Sequence, residues 1–158
     1  TAHDSKGVHA GTISNKGIEF QVNSPPIETL NFDWNLGFNV TKSNSIVESL
    51  NENLESITLG TLWGVSVEAR PGEEFGSIYG NDYLRDNFGT KLITDDGYAQ
   101  KGERIKQGSI NPDWFGGVTN SFRYKNFTLS ALISVQQGAE FYSYGRAYRM
   151  YFGTDARS

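Results

Sequence analysis

The sequence predicts an all-β fold of antiparallel strands, and three observations lead there. Apolar and polar residues alternate with period two in several stretches, as in a strand with one apolar face. The 158 residues include 10 Phe, 8 Tyr, 3 Trp and 18 Gly against 4 Pro, a profile of turn-rich β structure rather than of helices. Residues 118–135 read as two alternating runs joined at Lys125-Asn126, which is a hairpin.

In chain order, NKGIEFQV places Ile18, Phe20 and Val22 on one face of a strand over 14–22. Pro25-Pro26 should then break it, because paired prolines do not fit a central strand. FDWNLGFNVT, 32–41, is the cleanest strand: Phe32, Trp34, Leu36, Phe38 and Val40 face one way, and Asp33, Asn35, Gly37 and Asn39 the other. Over 43–56 the spacing of Ile46, Val47, Leu50 and Leu54 behind serines predicts a short helix or a loop. Residues 61–70 alternate again, with Trp63, Val65, Val67 and Ala69 against Gly64, Ser66, Glu68 and Arg70. PGEE is a turn and FGSIYG, 75–80, a weaker strand. Residues 81–112 read as one long polar loop holding a small hairpin at Asp95-Asp96-Gly97. Strands follow over 114–124 and 127–135, the second with Phe127, Leu129, Ala131, Ile133 and Val135 on one face. Residues 140–153 are crowded with aromatics and have no clear period.

This gives about six strands. Short connections after Val22, Arg70 and Tyr124 alternate with long ones after Thr41, Gly80 and Gln137. That asymmetry marks an outer-membrane barrel, and the strand lengths suit a tilted bilayer crossing. The rival is a soluble β-sandwich, a glycan-binding or adhesin module, whose apolar faces would meet each other.

Other classes are disfavoured. A formal charge of −4 argues against a nucleic-acid partner, and the lack of Cys excludes disulfides and thiolate metal sites. No catalytic arrangement and no cofactor motif stands out, so no enzyme is expected. His3 and His9 read as loop residues rather than a metal pair. Glu73-Glu74 and Asp95-Asp96 read as turns rather than calcium ligands, so no metal is expected. The N-terminal stretch has no signal-peptide pattern, and both ends read as the interior of a longer chain.

Three blocks, SNKGIEF, FDWNLGFNVTKSNSIV and INPDWFGGVTNSFRYKNFTLSALI, resemble in sequence, order and spacing the C-terminal part of the barrel of SusC/RagA-type TonB-dependent outer-membrane transporters. The resemblance implies that residues 1–158 are a segment of a large plugged barrel of about 22 strands. The plug domain, the TonB-contacting segment and the closing strand would lie elsewhere. It further implies location in the outer membrane of a Gram-negative bacterium and import of oligosaccharides or peptides. A SusD-like lipoprotein would form the lid and the TonB complex would supply energy.

On that view the apolar series face outer-membrane lipid, and Trp34, Trp63, Trp114 and Tyr124 join interfacial girdles. Asp33, Asn35, Asn39, Glu68, Arg70 and Arg123 form the lumen-facing wall. Lys125-Asn126 is a periplasmic turn, and strands 14–22, 61–70 and 114–124 run inward. Phe141, Tyr142, Tyr144, Tyr148 and Arg146 lead the substrate-contact candidates, since aromatic faces stack on sugars or peptide side chains. Tyr79, Tyr83 and Arg85 follow as loop residues.

Overall fold

The computed structural model describes residues 10–51 and 54–156. Eight strands and one helix follow in order: β1 (Gly11–Glu28), β2 (Phe32–Leu50), β3 (Ile57–Leu62), β4 (Val65–Ala69), β5 (Ser77–Tyr83), β6 (Lys101–Ser109), β7 (Trp114–Tyr124), β8 (Phe127–Gln137) and α1 (Tyr144–Tyr151). They make two open four-stranded sheets, ordered β1-β2-β7-β8 and β3-β4-β5-β6. No closed barrel forms among the described residues. The chain divides into two compact units. One comprises 15–45 and 111–139; the other comprises the described residues of 10–14, 46–110 and 140–156. No helix among the described residues is long and apolar enough to cross a membrane.

In the first unit the alternation read from sequence sets the faces. β2 pairs with β7 from Phe32↔Tyr124 to Thr41↔Phe115, and β7 with β8 from Tyr124↔Phe127 to Trp114↔Gln137. Directly opposed residues share a face. One face therefore stacks Trp34, Phe122 and Leu129, then Phe38, Val118 and Ile133, then Val40, Gly116 and Val135. Phe20 of β1 joins it, its ring 6.2 Å from that of Phe38. Between the first two of these rows lie Leu36, Asn120 and Ala131, and the Asn120 side chain accepts a hydrogen bond from Trp34 Nε1 at 3.3 Å. Nothing among the described residues covers this face: Leu129 is 68% exposed and Ile133 61%.

Both tight turns of this unit lie side by side. Thr29 N donates to Phe32 O at 2.9 Å to close the β1–β2 turn, and Lys125 N, in the β7–β8 turn, donates to Asn31 O at 2.8 Å. The hairpin at Lys125-Asn126 is as read, with Lys125 at φ +51°.

The structure departs from the sequence expectation in five places. Pro25-Pro26 do not end the first strand, because β1 runs through them at the outside of the sheet order, where missing donors are tolerated. The helix or loop over 43–56 is instead, through Leu50, a continuation of β2. Ile46 bridges to Glu74, and Val47 N donates to Glu73 O at 2.9 Å; β-branched residues favour this state. The strand over 61–70 is two strands, β3 and β4, folded back at Trp63-Gly64 with φ of +48° and +81°. The loop over 81–112 carries β6 and two small hairpins, bridged at Arg85↔Lys91 and Ile93↔Ala99; the second is the one read around Asp95-Asp96-Gly97. The aromatic tail holds α1, capped by Ser143, whose side chain accepts from Arg146 N.

The described residues thus form eight strands rather than about six. The short turn after Arg70 belongs to the β3–β6 sheet, so 61–70 is not a third long crossing strand. The second unit holds the buried core: Val47, Ala69, Ile78 and Tyr79, with Ser66, Glu68, Ser77 and Ser109 among the buried polar residues.

Candidate functional site

The polar face of the first sheet is built from the odd-numbered residues of β2. Asp33 sits opposite Arg123, Asn35 opposite Ser121, and Asn39 opposite Gly117. Arg123 Nε donates to Asp33 Oδ2 at 2.6 Å, and the Ser121 and Ser130 hydroxyls meet at 3.1 Å. Four of the predicted wall residues, Asp33, Asn35, Asn39 and Arg123, therefore share one face.

Glu68, in the second sheet, and Arg70, just past the end of β4, make a different arrangement. Arg70 Nε donates to Glu68 Oε2 at 2.8 Å, while Arg104 Nη2 reaches Glu68 Oε1 at 3.3 Å and also donates to Ser66 Oγ. Ser66 Oγ donates to Glu68 Oε1 in turn. Burial works to raise the Glu68 pKa, but the hydrogen bonds and the charges of the arginines outweigh it and hold the carboxyl below its ordinary value. The bond to Glu68 raises Arg70. The Arg70 guanidinium also lies 4.0 Å from the Tyr79 ring centre. Tyr79 OH donates to Glu73, and burial followed by that bond pushes its phenol up to about 12.

Beside this network is a cleft of about 570 Å³, a size that suits a small ligand. Trp63, Tyr83, Phe141 and Tyr142 supply aromatic surface; Asn81 and Gln107 supply neutral donors and acceptors; Lys101 and Glu140 also line it. The turn at Trp63-Gly64 presents the indole, and α1 packs against it. Trp63 lies 5.0 Å from Tyr144, 5.6 Å from Tyr148 and 6.0 Å from Tyr151 between ring centres. Spacings of three and four along the helix put these tyrosines on one side.

The structure thus brings Phe141, Tyr142 and Tyr83 to one cleft and sets Tyr144 and Tyr148 behind its Trp63 wall. Tyr79 and Tyr83 are not loop residues: both belong to β5, Tyr79 buried within it and Tyr83 exposed at its end. Arg85 is a loop residue outside this cleft; its guanidinium donates to Gly89 O at 2.9 Å. Arg146 is exposed on α1. Trp63, Asn81, Gln107 and Glu140 were not read as cleft residues. Trp63 reads as a strand residue because it shares the parity of Val65, Val67 and Ala69 although it lies in the turn, and the other three lack a local signature. His3 and His9 lie outside the described residues. No cluster of three or more metal-ligating side chains occurs among the described residues.

No family model matches the chain. Two curated relatives do. The TonB-dependent receptor P3 of Formosa agariphila is 28% identical over an alignment covering 85% of this chain and 16% of that protein. The TonB-dependent receptor SusC of Bacteroides thetaiotaomicron is 26% identical over 76% of this chain and 13% of that protein. The chain therefore spans less than a fifth of either relative. Among solved structures, the RagAB peptide transporter superposes with a TM-score of 0.59 at 19% identity, over 82% of this chain and 16% of that one. The RagAB peptide importer in its closed-closed state gives 0.57 at 16% identity, with the same coverage. These superpositions show a shared fold. The chain is homologous over most of its length to SusC/RagA-type TonB-dependent outer-membrane transporters, a family of transport proteins rather than enzymes.

Proposed function

We propose that this chain is part of the barrel of a TonB-dependent importer in a Gram-negative outer membrane. The importer takes up oligosaccharides or peptides with a SusD-like surface lipoprotein, and TonB acts through parts of the protein outside this segment. The observation that carries the reading is the β1-β2-β7-β8 sheet, with one exposed apolar face and one polar face bearing Asp33–Arg123. The hydrocarbon core cannot solvate polar side chains, so the apolar face meets lipid and the polar face lines the lumen.

The length of β7 agrees. Its 11 residues carry Trp114 at one end and Tyr124 at the other. Ten steps of ~3.4 Å, tilted by ~45°, rise about 24 Å, close to the ~25 Å height of an apolar band between aromatic girdles. Short turns face the periplasm in such barrels, which puts the adjacent turns at Asn31 and Lys125 there. β1 and β7 then run inward and β2 and β8 outward. The residues between β2 and β7, and those after β8, become surface segments. The Trp63 cleft belongs to those segments and is the candidate contact with cargo.

The test is fractionation with an antibody against residues 111–125, followed by growth of a deletion strain. The expected result is an outer-membrane band on the order of 100 kDa, the size of a large barrel with its plug. Growth should be lost on a starch digest or on a casein digest as sole carbon source. A soluble band of this segment's own mass, or undiminished growth on both digests with no lipoprotein co-purifying, would sink the reading.

A further inference from the structure

We infer that Glu140 is the positioning residue of the Trp63 cleft: its carboxylate clasps β6 and thereby holds Phe141 and Tyr142 in place as a wall. The inference rests on reading that cleft as the contact with cargo. Two bonds make the clasp. Ser109 N donates to Glu140 Oε2 at 2.9 Å, and Glu140 N donates to Ser109 O at 2.8 Å. The first fastens a side chain to the strand and the second a main chain, so the residue is fixed at both ends.

Gly108 makes room for this. A Cβ at that position would fall 1.2 Å from Glu140 Oε2 and 2.3 Å from its Cδ, so the carboxylate lies in the space where any other residue has a side chain. The residue that follows needs the clasp. Phe141 is 85% exposed, which leaves it little packing to fix its ring. The segment is instead pinned from both sides, by Glu140 before it and by the Ser143 helix cap after it. Glu140 acts through Phe141 and Tyr142 and does not itself need to touch cargo.

The experiment uses the full-length transporter with Glu140→Ala, Glu140→Gln, Gly108→Ala, Phe141→Ala and the double variant Glu140→Ala/Phe141→Ala. Hydrogen exchange is followed over 105–112 and 140–146, and growth on whichever digest supports the wild type. Glu140→Ala and Gly108→Ala should speed exchange in both stretches by about tenfold, the factor for losing one charge-assisted hydrogen bond. Glu140→Gln retains an acceptor and should stay near wild type. Exchange over β7 and β8 should not change, which separates a local release from misfolding. In growth, Glu140→Ala should match Phe141→Ala, and the double variant should be no worse than either. Unchanged exchange in Glu140→Ala overturns the clasp. Loss of growth in Glu140→Gln with normal exchange also overturns it, because the charge would then act on cargo directly. If exchange rises as expected but Phe141→Ala grows normally, the clasp stands and the cargo reading of the cleft fails.

Discussion

At the scale of single residues, the polar contacts differ in how much water they see, and that sets what each contributes. Asp33 is nearly buried while its partner Arg123 keeps a side chain 64% exposed. Solvent screens such a pair, so Asp33→Asn should lower the unfolding free energy of the full-length protein by about 1 kcal/mol, read as a small drop in melting midpoint in detergent. Glu68 is held by two arginines, and its dependence on pH follows from the direction of its shift. Its carboxyl lies below the ordinary 4.5 in the fold. The stabilisation is therefore present above that value and lost as pH falls through the lowered one. Melting midpoints between about pH 5 and 3 should fall more steeply in the wild type than in Glu68→Gln; equal slopes would remove Glu68 as a source of acid sensitivity. The alternation put Asp33 and Arg123 on polar faces, but nothing local told that they oppose each other. That register joins positions 90 apart in the chain, and it depends on pairing that no window of sequence contains.

At the scale of elements, the legible parts were those with long unbroken alternation and a turn of known chemistry, as in β7 and β8. The reading failed where two kinds of structure share one pattern. The two-residue turn at Trp63-Gly64 sets Leu62 opposite Val65 and so shifts the parity of the faces, but the apolar Trp63 in the turn has the parity of Val65, Val67 and Ala69, so a hairpin has the pattern of one strand. Positive φ at both turn residues is the geometry of a tight hairpin matched to strand twist. Gly64→Ala should cost about 1–2 kcal/mol, because a Cβ is disfavoured at that φ; thermal melts check it. The end of β2 misled for another reason. Ile46, Val47, Leu50 and Leu54 have helical spacing, and the Ile46–Glu74 bridge with the bonds from Val47 to Glu73 and from Gly72 to Val47 settles the strand. Those partners come from a turn read separately. In α1 the aromatic spacing is present, but a helix of 8 residues, about two turns, gives too few repeats for a period to emerge.

At the scale of the whole molecule, the all-β class and the two-faced sheet were plain in the sequence, while the division into two units was not, because it depends on which strands pair. The faces make a paired prediction. Ile133→Arg, on the exposed apolar face, should cost ~2–4 kcal/mol at mid-membrane depth and reduce the folded protein recovered from outer membranes. Ser134→Arg, one residue on and facing the other way, should be recovered at wild-type levels. Equal recovery of the two would remove the distinction between lipid and lumen faces. One further consequence follows from the pairing of β2 with β7. These strands are neighbours in the sheet, yet the chain between Thr41 and Phe115 carries the whole β3–β6 sheet. The rungs from Phe32↔Tyr124 to Thr41↔Phe115 need no residue of that excursion, so exchanging it as a cassette would, on the proposed reading, alter the surface segments while every rung keeps its partner.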